Sequence, residues 1–420
     1  MKRLRIISLF CVICLLLTAC KRNPASSSAG GETSVTPSGG FKDTEATFVS
    51  PEGLSVSEIT PAQISVEEAK KLWCYNTLNE TQQYYYKIML TMVRNLTEGF
   101  VSLGYGGNNF SSDIAIAYRA LMNDYPEYYW MPDSYFISAS EGVYSVAFKR
   151  NSFENGYGFE IFEIEDNFIE FEDAIDLIIT RASKGKTIYE KQKILHDELC
   201  KRVTYSEETD DHTVYSAYGA LVNGRALCEG YARAFQLLCN RLGIENVLVS
   251  GTSKDVGHLW NMVKTEEGWS HVDVTWDDLK SDTLYTYLNL TKMQILIDHD
   301  IDSDYKDASP NLISQGHSFN FNLPEASTQK QDYFTRNNLI FDYDDTYSMA
   351  KAVVNRYNAG DFNAQFIFSS EEDAETFMAE YETLIVEVQK DINEILGDSI
   401  IKLQTISFSR DTCVFYFKKA

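Results

Sequence analysis

The apolar positions of the chain change period several times, and each change predicts an element. Asn79-Glu80-Thr81-Gln82 offers an N-cap with Gln at the third helical position, and Tyr84, Ile88, Met92 and Leu96 follow at four-residue steps. A helix is expected there, and a second at 112–123, where Ile114, Ala117, Tyr118 and Leu121 share a face before Pro126. Aromatic and branched residues at 143–149 and 157–164 predict a strand pair across a turn at 151–155. Helices are expected at 168–183 and 187–202, the second carrying Ile194, Leu195 and Leu199. From Cys228, the positions Tyr231, Phe235, Leu238 and Leu242 run at helical spacing to Gly243, a C-terminal cap. A buried strand at 244–250 and a hairpin of 257–264 with 269–275 around Thr265-Glu266-Glu267-Gly268 follow. The last hundred residues predict a strand at 339–343, a helix from Tyr347, a strand at 365–369, a helix over 370–396 and strands at 402–407 and 412–417. This succession is α+β, with expected units at 60–167, 168–324 and 325–420.

The first sixty residues follow a different pattern. Lys2, Arg3 and Arg5 precede an apolar stretch from Ile6 to Leu17, too short to span a bilayer comfortably, with small residues before Cys20. This predicts an export signal over 1–20. Leu17-Thr18-Ala19-Cys20 resembles the lipobox of bacterial lipoproteins, which implies acylation of Cys20 and attachment to the outer face of the cell membrane. Residues 21–59, with SSSAGG and TSVTPSGG, begin as a polar stretch without periodicity and are expected to be a flexible tether.

Charge narrows the partners. The chain carries 37 Lys and Arg against 61 Asp and Glu, for −24; without the three cations of the signal it carries 34 against 61, or −27. Such a body repels phosphate backbones, so no nucleic-acid partner is expected. Of eight Cys, five lie beyond Cys20: Cys74, Cys200, Cys228, Cys239 and Cys413. The number is odd and no pair has C-x-x-C spacing, so an exported protein of this kind has a thiol to spare for chemistry.

Cys228 is the thiol with a chemical setting. It falls in the first turn of its helix, where unpaired N–H groups and the helix dipole favour a thiolate and can hold an oxyanion. Pairing Lys264 with Trp269 places His258 and Asp273 on one face of adjacent strands, a base with a carboxylate to orient it. His271 shares the face of Asp273, and His212 lies ahead of the Cys228 helix; either competes as base. Three of the five tryptophans, Trp260, Trp269 and Trp276, fall within 17 residues; Trp260 and Trp276 are candidates for a cleft wall, though hairpin packing is the reading such residues favour. No second Cys or His sits at ligand spacing, so neither metal nor cofactor is expected.

Three blocks of sequence carry a resemblance: Tyr218 to Phe235 (YGALVNGRALCEGYARAF), Gly257 to Val263 (GHLWNMV) and Trp269 to Asp278 (WSHVDVTWDD). In order and spacing they resemble the transglutaminase-like domain of bacterial surface proteins, over about residues 168–320. The resemblance implies a papain-related fold with Cys228 as nucleophile, His258 as base, Asp273 as orienter and Tyr205 as a candidate oxyanion donor. It implies acyl transfer or hydrolysis through a thioester on protein or wall-peptide substrates; a non-catalytic binding module on the same scaffold is the alternative.

Overall fold

The computed structural model describes residues 45–148, 161–206, 209–279, 282–327, 329–360, 363–397, 403–409 and 414–419; the expected signal peptide and Cys20 lie outside them. These described residues fall in one compact unit. Three mixed layers build it, each with its own apolar cluster, and the class is α+β.

The first layer is a five-stranded sheet in the order Glu45–Val49, Ser134–Ser140, Val143–Phe148, Phe100–Tyr105, Val56–Ser57. Helices Glu80–Arg94 and Phe110–Asp124 pack with it. The first helix starts at the expected capping box, Asn79 accepting from the Gln82 amide and Gln82 returning the bond. Two differences from the sequence reading stand out. Strands Glu45–Val49 and Val56–Ser57 lie inside the stretch expected to be tether, where the ladders to Ser134–Ser140 and Phe100–Tyr105 supply the order that local pattern lacks. Val143–Phe148 pairs backwards with Ser134–Ser140 over Glu141-Gly142, both at positive φ, not forwards with 157–164. Residues 149–160 lie outside the described residues, and Ile161 already opens the helix Ile161–Ala182.

The second layer is an antiparallel sheet ordered Leu288–Leu290, Gly268–Val272, Val256–Thr265, Asn246–Ser253, His299–Ile301. The register Lys264 to Trp269 is the one the turn signal predicts, with Glu266-Glu267 at the tip. Helix Cys228–Arg241 packs on the two long strands and is buried from Cys228 through Cys239. A helix apolar on one stripe only would leave its back to solvent; here Glu229 and Arg233 pair inside at 2.9 Å, and Arg233 and Gln236 donate to the carbonyls of Met122 and Asn123 in the first layer. Tyr305, Ile313, Phe319 and Phe321 also pack into the first layer's cluster, so the chain between the central sheet and residue 324 returns to the N-terminal part.

The third layer orders Ile340–Phe341, Asn363–Phe368, Val414–Lys419 and Leu403–Ser409 into a sheet, with helices Thr346–Asn358, Glu371–Ala379 and Tyr381–Leu396. The single helix expected over 370–396 is two helices meeting at Glu380. Among the described residues no helix is long and apolar enough to cross a membrane.

Candidate active site

Cys228 begins its helix where the chain leaves a short parallel ladder, Thr204–Tyr205 with Arg225–Ala226. Leu227 is the N-cap, and it supplies no side-chain hydrogen bond. Asn79, Thr187, Thr291, Ser370 and Asp332 each cap the helix they precede. The Cys228 helix therefore presents its first N–H groups without a capping side chain. Gly230 lets this end pack closely: a Cβ there would stand 2.4 Å from the Val214 carbonyl oxygen.

His258 comes from the neighbouring strand, and Asp273 from the residue after Gly268–Val272. The His258 Nε2 atom is 2.6 Å from Asp273 Oδ2, which leaves Nδ1 for the Cys228 thiol, its other hydrogen-bond partner. All three residues are buried. Asp273 is also the N-cap of the turn Val274–Asp277: its Oδ1 accepts from the amides of Thr275 and Trp276 at 2.9 and 3.3 Å. Burial works against charge on both partners, yet on His258 the Asp273 carboxylate and Cys228 outweigh it and push the imidazole up to about 10. On Asp273, burial is likewise overcome by His258 and by a second histidine, and the carboxyl falls well below the usual range. A thiol, an imidazole and a carboxylate thus stand in line at an uncapped helix end.

The second histidine is His299. Its Nε2 lies 3.1 Å from the same Asp273 Oδ2 and its Nδ1 lies 2.7 Å from Asp298 Oδ1, while the Tyr287 hydroxyl donates to the other Asp298 oxygen. The edge strand His299–Ile301 reaches this place by pairing with Asn246–Ser253, and Gly251 permits the approach, because a Cβ there would meet the Asp300 carbonyl at 1.9 Å. Sequence reasoning passed over His299, although it is one of only six histidines and stands between Asp298 and Asp300. Nearby, His196 sits between Asp277 and Asp197; burial opposes its charge, but the two carboxylates raise it to about 9.

The other candidates separate. His271 does not compete as base. It accepts from Trp260 Nε1 at 3.1 Å, and burial, together with His299 and Lys292, lowers it to about 3, so it is neutral. His212 lies in the short 3-10 turn His212–Tyr215. Trp260 does not wall a cleft: it is 1% exposed, behind His258, with the two rings near parallel at 5.8 Å. The strand is covered on both faces, so alternation gives it no solvent side. Trp276 is half-buried, edge-on to His258 at 6.4 Å, with Lys254 Nζ 4.1 Å from its ring centroid. Tyr205 is 40% exposed, pairs with Ala226 two residues before Cys228, and lies near parallel to Tyr231. Among the described residues, His258, Asp273 and His299 form the one group whose ligand atoms converge, within 4.8 Å. Each of those atoms is engaged in the hydrogen bonds above.

Comparison with known proteins bears on the same stretch. Residues 178–274 match the family model described as the Transglutaminase-like superfamily. The middle of this chain is thus similar to that family. Kyphoscoliosis peptidase of Homo sapiens is 25% identical over 149 residues, 31% of this chain and 22% of that protein. Its Mus musculus counterpart is 30% identical over 100 residues, 20% of this chain and 15% of its own length. The chain therefore spans about a fifth of these relatives or less. A solved structure described as a TGase overlaps 34% of this chain and 44% of its own at 16% identity, with a TM-score of 0.24.

Proposed function

We propose that the transglutaminase-like domain is a cysteine enzyme that cleaves or transfers amide-bonded acyl groups on proteins or wall peptides, carried outside the cell by a lipid on Cys20. The observation that supports it most is the placement of His258, in hydrogen-bond contact with both Cys228 and Asp273 beside an uncapped helix N-terminus. The Cys228 thiolate attacks the amide carbon, and the carbonyl electron pair moves to oxygen, where first-turn N–H groups stabilise it. His258 delivers its Nδ1 proton to the departing amine as the C–N bond breaks, leaving a thioester. Water, losing a proton to His258, attacks that thioester; carboxylate leaves and the sulfur is regenerated. A lysine amine in place of water forms a new amide. Relatives that bear the name peptidase support the hydrolytic branch. The basic head, short apolar stretch and Leu17-Thr18-Ala19-Cys20 support the lipid anchor.

The test is incubation of the body lacking residues 1–20 with labelled peptides and an amine probe, read by mass spectrometry. Hydrolysed peptide or peptide carrying the probe, lost in Cys228→Ala, supports the enzyme. Binding of peptide without conversion in both proteins sinks it and leaves a binding module.

A further inference from the structure

Asp273 is held by more donors than the scheme above uses. Its Oδ1 is occupied by two backbone amides, while Oδ2 serves two imidazoles, His258 at 2.6 Å and His299 at 3.1 Å. Both nitrogens of His299 face carboxylate oxygens, those of Asp273 and Asp298, and its side chain is fully buried. Burial opposes charge on the ring, but the two carboxylates outweigh it and favour the imidazolium form. The groups around it are Asp273, Asp298, His258, His271 and Tyr287, with Trp260 and Trp276 closing the shell at ring-centroid distances of 5.1 and 5.9 Å. Its ring lies 5.4 Å from that of His258.

We propose that His299 is a positioning residue of the Cys228 site, drawing part of the Asp273 charge onto itself so that His258 is aligned by that carboxylate yet still releases its proton to a leaving amine. The proposal rests on Cys228 being the nucleophile. With His299 gone, the Asp273 charge falls wholly on His258, a neighbouring cation disappears, and the proton is held more tightly. General-acid delivery slows, whereas the thiolate partnered by a protonated His258 persists. A merely structural histidine would lower stability without moving the titration of His258.

The experiment follows the imidazoles of the histidine-labelled full chain by NMR across pH in the wild type, His299→Gln and Asp298→Asn, with circular dichroism to establish folding. In His299→Gln the His258 midpoint is expected to rise by about two pH units, as for removing a unit charge 5.4 Å away at an effective dielectric of about 20. Turnover of a peptide amide falls about tenfold or more, with KM little changed and iodoacetamide labelling of Cys228 at neutral pH retained. Asp298→Asn, which weakens the hold on the His299 proton, moves His258 in the same direction by less, and it carries the test if His299→Gln does not fold. An unchanged His258 midpoint in the folded variants overturns the proposal. Movement of the midpoint in a protein whose Cys228 turns nothing over overturns instead the nucleophile reading on which it rests.

Discussion

Exchanging Asp273 for asparagine isolates the carboxylate while keeping its shape. In the wild type its two oxygens accept four hydrogen bonds, from His258, His299, Thr275 and Trp276. The amide keeps one oxygen for the two backbone N–H groups, but its NH2 then meets the Nε2 protons of both imidazoles. His258 relieves the clash only by turning Nε2 into an acceptor, which moves its proton to Nδ1 and removes the base from the sulfur. Two charge-assisted bonds between groups almost without solvent are lost, each contributing about 1.5–3 kcal/mol, or about 3–6 kcal/mol together. If that loss falls on the transition state, turnover drops about 10²–10⁴-fold, since each 1.36 kcal/mol is a factor of ten. The same exchange in serine-protease triads, where the wrong tautomer results, removes about 10⁴-fold. The assay is amine release from a labelled peptide at neutral pH beside the rate of Cys228 alkylation, with circular dichroism to show that the variant folds. A folded Asp273→Asn that turns over within about threefold of the wild type refutes the reasoning, because that difference is under 1 kcal/mol.

Trp260→Ala is expected to lose about 3–5 kcal/mol of stability in denaturant unfolding, as for a fully buried large side chain, whereas Trp276→Ala raises KM with a smaller loss. Stability should depend on pH through the same pair. His258 is raised to about 10 in the fold, so its contribution is complete below its unfolded value of about 6.5 and disappears as pH climbs through about 10. Asp273 is depressed, so its contribution is present above about 3.9 and lost as pH falls below that. Melting temperatures of wild type and His258→Gln should therefore differ most between about pH 4 and 6.5 and converge toward pH 10; a constant difference contradicts the sign worked here. Cys20→Ala should move the protein from the membrane to the soluble fraction, and retention in the membrane fraction contradicts the lipid anchor.

The parts of the fold that were readable in the sequence are those fixed by local chemistry. The Asn79 capping box, the four-residue apolar step from Tyr231 to Leu242 ending at Gly243, and the hairpin register Lys264 to Trp269 are all set within a few residues of themselves. Cys228, His258 and Asp273 could be placed together because two of them flank that hairpin and the third opens the helix packed on it. His299 escaped because its three-residue strand enters through a pairing with Ser253, a contact no periodicity announces. Trp260 follows the packing reading and not the cleft wall, a choice alternation leaves open because it predicts two faces, not which of them will be covered. The run 157–164 mixes Phe159, Ile161, Phe162 and Ile164, too short to separate a strand from the first turn of a helix.

The central claim is that Cys228 differs in kind from the other buried thiols. Burial pushes Cys74, Cys200 and Cys239 upward and leaves them protonated, and none has a histidine in hydrogen-bond contact among the described residues. Cysteine-resolved mass spectrometry of the native protein, sampled through a time course with iodoacetamide at neutral pH, compares all four directly. The account predicts that Cys228 is modified first, by at least about tenfold over the others, and that activity vanishes at the same rate. Modification of Cys228 no faster than Cys74, Cys200 or Cys239 would contradict it.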